Sequence, residues 1–259
     1  MPITGPDILL WEKRDHLAIM TMNRPERMNA LSVELGERIS AAEEEFATDD
    51  NLWVMIVTGA GDRSFSAGMD LKDFAERRAQ GLEGRPASRR APAPEHFKPI
   101  IAAVNGIAYG GGFERSLACD IRICSDKARF ALPEVKRGLI PGSGVYALPR
   151  TIGRGMAMYF CITGQDIDAQ EAYRLGIVSK VVPHDKLMDE AIALGELICE
   201  NGPLAVRTAK QIVKLGSEVP IEYAMRIGRP LMDRVFASED SKEGATAFAE
   251  KRKPNYIGR

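Results

Sequence analysis

Short apolar runs alternate with amphipathic segments along the first two thirds of the chain, which predicts strands alternating with helices. Residues 9–12 and 17–22 are strand-like, and the polar residues 13–15 join them. Residues 53–58 form an apolar run that stops at Gly59, as in a buried strand. Further strands are predicted at 100–104, 121–124 and 177–182. This order of elements predicts an α/β fold.

Helical spacing follows several of these strands. Ser32 can cap a helix that carries an apolar face of Leu35, Ile39, Ala42 and Phe46. Asp168 with Glu171 is typical of a capping box before a short helix that ends at Gly176. After Pro183 the pattern becomes wholly helical, with predicted helices at 185–200, 203–215, 221–235 and 239–251.

Composition narrows the class of protein. The 259 residues suit one large domain, or a domain with a small appendage, and a net charge of −1 gives no general attraction to nucleic acid or to an anionic membrane. We expect no signal peptide and no membrane span. The three histidines match no metal spacing, and we expect no metal. The cysteines lack CxxC spacing and have apolar neighbours, which favours reduced thiols in a cytoplasmic protein: Cys119, Cys124, Cys161 and Cys199.

Two glycine-bearing segments, residues 64–71 and 98–114, carry the chemistry. Each is interpreted as a buried strand that ends in small residues and then opens a helix. Small residues let a ligand approach bare backbone N–H groups, and two such turns can aim two amides at one oxygen, forming an oxyanion hole. Three consecutive glycines, 110–112, indicate only a tight turn when taken alone. Paired with residues 67–70, they favour a ligand site.

These two segments resemble the signature of the crotonase (enoyl-CoA hydratase/isomerase) superfamily. The resemblance implies a crotonase-like spiral of ββα units over residues 1–195, followed by a helical C-terminal trimerisation region over 196–259. It implies an acyl-CoA substrate whose thioester carbonyl is polarised by the amides of Met69 and Gly111. Coenzyme A is then part of the substrate, and no separate cofactor is expected. It further implies a homotrimer, or a homohexamer built from two trimers.

Glu114 and Glu134 resemble the paired acid/base glutamates of enoyl-CoA hydratases. Each alone would normally be a solvated surface charge, but both follow apolar or glycine-rich segments and are predicted to face inward. Two carboxyls in one closed site differ in pKa, so that one can donate a proton while the other accepts. Having both favours a hydratase. The alternatives are an isomerase, a carnitinyl-CoA-type dehydratase or a thioester hydrolase on the same fold, and a non-enzymatic binding protein.

The resemblance also covers an early turn at residues 23–31 and the C-terminal segment 243–254. It implies that these regions and the first glycine turn contact CoA. The residues concerned are Arg27, Met28, Ala30, Ala67, Asp70, Leu71 and Lys72, with Phe248 and Lys251 acting on CoA bound by a neighbouring subunit.

Some residues depart from the family pattern. Arg115 follows Glu114 where hydratases usually carry an apolar residue, and it either pairs with Glu114 or points away along the helix. Residues 143–146 and Met69 differ from simple hydratases, so short, branched, aromatic and carnitinyl acyl groups all remain open. The arginine-rich segment 75–95 is interpreted as a surface loop, or as a lid whose arginines approach ligand phosphates.

Overall fold

The computed structural model describes residues 7–81 and 96–259. Its strands are β1 (Leu9–Arg14), β2 (Leu17–Met22), β3 (Val54–Gly59), β4 (Ser64–Ser66), β5 (Ile100–Val104), β6 (Ile107–Tyr109), β7 (Ile121–Ser125), β8 (Arg129–Ala131), β9 (Asp166–Asp168) and β10 (Lys180–Val182). Its helices are α1 (Val33–Thr48), α2 (Leu71–Ala79), α3 (Gly111–Ala118), α4 (Gly144–Ile152), α5 (Arg154–Thr163), α6 (Ala169–Arg174), α7 (Leu187–Cys199), α8 (Pro203–Gly216), α9 (Ile221–Phe236) and α10 (Glu239–Glu250).

The strands form two sheets that the chain visits in turn. The larger has the order β1-β2-β3-β5-β7-β10, and all its pairs are parallel except β1 with β2. The smaller has the order β4-β6-β8-β9, with β4, β6 and β8 parallel and β9 antiparallel. Three times the chain runs from one strand of the large sheet to one of the small sheet and then into a helix. This repeated ββα unit confirms the predicted crotonase-like fold.

The larger sheet is covered on both faces, which explains its apolar strands. All six residues of β3 are buried. On one face, α1 packs with the predicted side chains Leu35, Ile39, Ala42 and Phe46, and Ser32 caps this helix by accepting a hydrogen bond from Leu35 N. On the other face, α7 contributes Leu187 and Ala191. The glycine turns follow β4 and β6, two neighbouring strands of the smaller sheet.

The strand predicted at 177–182 is shorter than expected. Backbone N–H groups of Ile177 and Val178 both donate to the carbonyl of Ala172 at the end of α6. Because these two N–H groups are bonded to α6, the strand that pairs with β7 comprises only Lys180–Val182. Strands β6, β8 and β9 and helices α4 and α5 were not expected from the sequence.

The arginine-rich segment begins as helix, which corrects its predicted loop at residues 75–79, since α2 extends to Ala79. Its continuation, with Arg85, Arg89 and Arg90, lies outside the described residues. At the other end of the chain, the predicted helices appear as α7 to α10. None of the helices in the described ranges has the length and apolar character that crossing a bilayer requires. The division of the chain at residue 195 stays a prediction.

Candidate active site

The two glycine turns pack directly against each other. Gly68 has a φ of +87° and Gly110 a φ of +52°, conformations that favour glycine. A Cβ on Gly68 would lie 3.0 Å from Gly111 N, and one on Gly112 would lie 2.1 Å from Ser66 O. Such close backbone approach explains why the sequence places glycine at these positions.

Backbone N–H groups of Met69 and Gly111 meet where the turns touch. A Cβ on Gly111 would lie 3.8 Å from Met69 N. Helix α3 begins at Gly111, so this N–H is among those with no partner inside the helix. The structure therefore brings together the two amides predicted to bind one oxygen; their catalytic role stays a prediction.

The early turn at residues 23–31 braces the first glycine turn. Leu31 N donates to Gly68 O at 2.8 Å, and Asp70 N donates to Leu31 O at 3.0 Å. Met28 O accepts from Ala67 N, and Ala30 O accepts from Arg24. Predicted CoA-binding residues Met28, Ala30, Ala67 and Asp70 are thus joined in one network beside Met69.

Asp70 has a structural function that helps to hold this network together. Its carboxylate accepts from the N–H groups of Lys72 and Asp73, capping α2, and forms an ion pair with Arg24 at 3.0 Å. Burial acts to raise the pKa of Asp70, but the bond from Asp73 N and the Arg24 charge outweigh it and hold this pKa below its ordinary value. Arg24 belongs to the early turn, but its pairing with Asp70 was not expected from the sequence, because the two residues lie 46 positions apart.

Two buried asparagines also hold the turns and were not identified as site residues. Asn105 Nδ2 donates to the carbonyls of Gly59, Gly61 and Ser64. Asn29 Nδ2 donates to the carbonyls of Ala60 and Ser64. The Asn–Gly pair at 105–106 is a sequence signal of a turn that could have drawn attention to Asn105.

Glu114 lies in the first turn of α3 and contacts the start of α4. Its Oε1 accepts a hydrogen bond from Gly144 N at 2.8 Å. A Cβ on Gly142 would lie 3.2 Å from Oε2, so this segment fits closely around the carboxylate. The start of α4 therefore fixes the position of the Glu114 carboxylate.

Glu134 lies on a 3₁₀ turn, Pro133–Arg137, next to Gly110. A Cβ on Gly110 would lie 2.8 Å from Oε1 of Glu134. Burial, and then the charge of Glu114, raise the pKa of Glu134 above its ordinary value. Its Oε2 is buried and has no hydrogen-bond partner among residues 7–81 and 96–259. Glu134 therefore lies beside Gly110, and Glu114 lies in the first turn of the helix that Gly111 begins, as two carboxyls with different environments.

Arg115 points away from Glu114. Its Nη2 donates to Oε1 of Glu43 on α1, which supports the second of the two alternatives for this residue.

The predicted unpaired state of the cysteines agrees with the structure, in which all four, each inside the described ranges, are free thiols.

A charged cleft of about 470 Å³ lies between the early turn, α1 and α2. Arg27, Asp70 and Lys72 from the predicted CoA-binding set line it, whereas Leu71 is exposed beside it. Neither glutamate lines this cleft. Phe248 is 86% exposed at the end of α10 and, like Lys251, is not among its lining residues. Contact of these two residues with CoA on a neighbouring subunit stays a prediction.

Comparisons with known proteins agree with the fold. Residues 12–259 match the model of the enoyl-CoA hydratase/isomerase family. The chain is 40% identical to a crotonyl-CoA hydratase of Syntrophomonas wolfei over 97% of this chain and 98% of that protein. It is 42% identical to a carnitinyl-CoA dehydratase of Escherichia coli over 93% of this chain and 94% of that protein. A crystal structure of an enoyl-CoA hydratase from Bacillus anthracis, 36% identical, superposes with a TM-score of 0.89 over 98% of this chain and 100% of that one.

Proposed function

This chain belongs to the enoyl-CoA hydratase/isomerase family, and we propose that it is an enoyl-CoA hydratase, a lyase that adds water to the double bond of a 2-enoyl-CoA thioester. One observation carries the choice of reaction. Two carboxylates adjoin the turn at which the Met69 and Gly111 amides meet: Glu134 lies against Gly110, and Glu114 is in the first turn of the helix that Gly111 begins. Hydration needs two proton-transfer groups beside an oxyanion site, and this arrangement supplies both.

The proposed reaction starts with the thioester oxygen between the Met69 and Gly111 amides. The oxygen of water forms a bond to the β-carbon, and the electrons of the double bond move toward the carbonyl. The two N–H groups stabilise the resulting enolate oxygen, since they are fixed in place before charge develops. Protonation at the α-carbon then completes the 3-hydroxyacyl-CoA product.

The environments of the two glutamates support distinct roles. Glu114 accepts a hydrogen bond from Gly144 N at the start of α4, which orients its carboxylate as the base that takes the proton of water. Glu134 has a raised pKa, which suits an acid that gives its proton to the α-carbon. After one turnover Glu114 holds a proton and Glu134 has lost one, so exchange with solvent restores the pair.

The proposal includes the setting in which the enzyme works. No cofactor enters the reaction, because coenzyme A is part of the substrate. The exposed apolar side chains of α9 support a homotrimer or homohexamer: Ile221, Tyr223, Met225, Met232 and Phe236. Four unpaired cysteines support a reducing, cytoplasmic location. In the proposed trimer or hexamer, Phe248 and Lys251 would contact CoA held by a neighbouring subunit.

A panel of acyl-CoA thioesters, with products separated by chromatography and weighed by mass spectrometry, tests the reaction. The panel contains straight-chain, branched, aromatic and carnitinyl-type 2-enoyl groups. Hydration adds the mass of water, isomerisation leaves the mass unchanged, and hydrolysis releases free CoA. We expect water addition to at least one member. Isomerisation or CoA release without hydration would replace the proposal with the corresponding family reaction.

A further inference from the structure

Helix α3 carries two parts of the candidate site, the Gly111 amide and the Glu114 carboxylate. It has only eight residues, and its N-cap, Gly110, provides no side chain to hold the first turn. A rotation of α3 about its axis would displace both groups together. The contacts that fix this rotation therefore matter for the geometry of the site.

Polar contacts tie α3 to the helices on two sides. Glu114 accepts the Gly144 N–H of α4 at 2.8 Å, and Arg115 donates to Glu43 of α1 at 2.5 Å. Successive residues of a helix point about 100° apart, so the two contacts hold α3 from different directions. The Arg115 contact is the one that does not involve a predicted catalytic group.

The Arg115–Glu43 pair is shielded more than most ion pairs among residues 7–81 and 96–259. The side chains are 20% and 32% exposed, whereas those of Arg174 and Glu171 on α6 are 67% and 34% exposed. A shielded pair is less screened by solvent and salt than an exposed one. Its shielding suits it to hold one helix at a set rotation against another.

We propose that Arg115, held by Glu43, is a positioning residue that fixes the rotation of α3 and so aligns the Gly111 amide with the thioester oxygen. The inference rests on the proposed function, because it assigns α3 to an acyl-CoA site. Arg115 acts through the helix and does not touch the substrate. Its loss should therefore weaken stabilisation of the transition state more than it weakens binding of CoA.

The test compares Arg115→Met and Glu43→Gln with a matched pair of variants on α6, Arg174→Met and Glu171→Gln. Steady-state rates are measured well below the melting temperature of each variant. We expect kcat to fall about tenfold in both α3-pair variants, with KM within about twofold of wild type, as for an interaction made mainly in the transition state. Arg115→Lys keeps the charge and should retain more of kcat than Arg115→Met. The α6 variants should match wild type.

A second readout follows carbonyl polarisation without any turnover. The chromophoric thioester 4-dimethylaminocinnamoyl-CoA absorbs at longer wavelength when hydrogen bonds polarise its carbonyl. We expect wild type to shift the absorbance of the bound probe to longer wavelength, and the two α3-pair variants to give a smaller shift at similar affinity. If Arg115→Met does not fold, Glu43→Gln, whose side chain is partly exposed on α1, provides the same comparison.

The outcomes separate this inference from the proposed function. Wild type that shifts the probe but adds no water to any thioester contradicts the hydratase proposal, and the variant shifts still decide the role of Arg115. Unchanged kcat and probe shift in both variants, even with a lower melting temperature, overturn the positioning role. Wild type that binds the probe without any shift overturns the alignment role of Arg115, and the thioester panel then decides the hydratase proposal by itself.

Discussion

At the residue scale, neighbouring glycines in one turn have different functions. A Cβ on Gly112 would lie 2.1 Å from Ser66 O, whereas one on Gly111 would come no nearer than 3.4 Å, to Leu31 Cδ1, and would lie 3.8 Å from the Met69 amide nitrogen. Gly112 is thus required by backbone packing. Gly111 has room for a side chain, but that side chain would occupy the space beside the oxyanion amides.

This contrast gives opposite expectations for two substitutions. Gly111→Val should fold but lose activity, because its side chain displaces the thioester oxygen. Gly112→Ala should lose stability, because the backbone of β4 cannot move away. Circular dichroism melting and an activity assay on the same samples separate the two, with Cys119→Ala as a nearly neutral control. A folded Gly111→Val protein with wild-type turnover would mean that the oxyanion site lies elsewhere.

The two glutamates should each be needed for turnover. Replacing Glu114 or Glu134 with glutamine keeps the shape of the side chain but removes proton transfer. We expect kcat to fall by about 100-fold or more in each variant, while affinity for a CoA thioester changes little. Stopped-flow or steady-state hydration assays measure the rate, and calorimetric titration measures the affinity. Near-native hydration by Glu114→Gln would exclude the mechanism with two glutamates.

Glu134 should also make stability depend on pH. Its pKa in the folded protein lies above the ordinary value of 4.5, so the folded state binds this proton more tightly than the unfolded state does. Stability is therefore lost as pH rises from the ordinary pKa through the raised one. Glu134→Gln removes this loss, and its melting temperature should exceed that of wild type at about pH 8 and approach it at about pH 4. An excess of the same size at both pH values would point to packing instead of charge.

At the element scale, the cap of α2 links helix stability to the site. Asp70→Ala removes two capping bonds and the Arg24 ion pair, so we expect a loss of at least about 1 kcal/mol of unfolding free energy. Because Asp70 directly follows Met69, we also expect a higher KM for the acyl-CoA. Asp168→Ala removes the cap of α6 and serves as the control. It should lose stability with an unchanged KM, as measured by urea unfolding and kinetics. If Asp70→Ala had the same KM as Asp168→Ala, the α2 cap would have no part in CoA binding.

How much of the fold is predictable from sequence depends on whether the determining contacts are local. Helix α1 is recognisable because its cap and its apolar face lie within one short segment. The division of strands between two sheets is not, since the three-residue strands β4, β6, β8 and β9 pair with partners far along the chain. Ile177 and Val178 look like strand, but a nearby helix end takes their N–H groups.

The same limit applies within the site. The glycine turns and both glutamates are visible in the sequence because each lies in a compact motif. The contacts of Arg24, Asn29 and Gly144 are not, although their segments 23–31 and 143–146 stand out, because each residue acts on a partner from another element. For the same reason the sequence leaves two alternatives for the direction of the Arg115 side chain. The structure decides between them, because Glu43, 72 residues away in the chain, lies beside Arg115.

At the scale of the whole molecule, the C-terminal helices leave much apolar surface uncovered in the single chain. Phe236 is 76% exposed and Met225 is 65% exposed on α9. Monomeric proteins rarely expose large contiguous apolar patches, so we expect light scattering to give three or six times the monomer mass of 28.4 kDa. Deleting residues 245–259 should weaken both assembly and CoA binding. A mass near that of the monomer would contradict the proposed assembly.

The buried amide of Asn105 has a consequence for the chemical ageing of the protein. Asparagine followed by glycine readily deamidates in flexible chains, when the next backbone nitrogen attacks the side-chain carbonyl. Here the side chain is held by three backbone carbonyls, and Gly106 is packed so tightly that a Cβ would lie 2.3 Å from Arg63 O. The attack geometry is therefore closed in the folded state. Asn105 should therefore deamidate only in molecules in which the turns beside the site have opened, and the deamidated fraction would report how often they open.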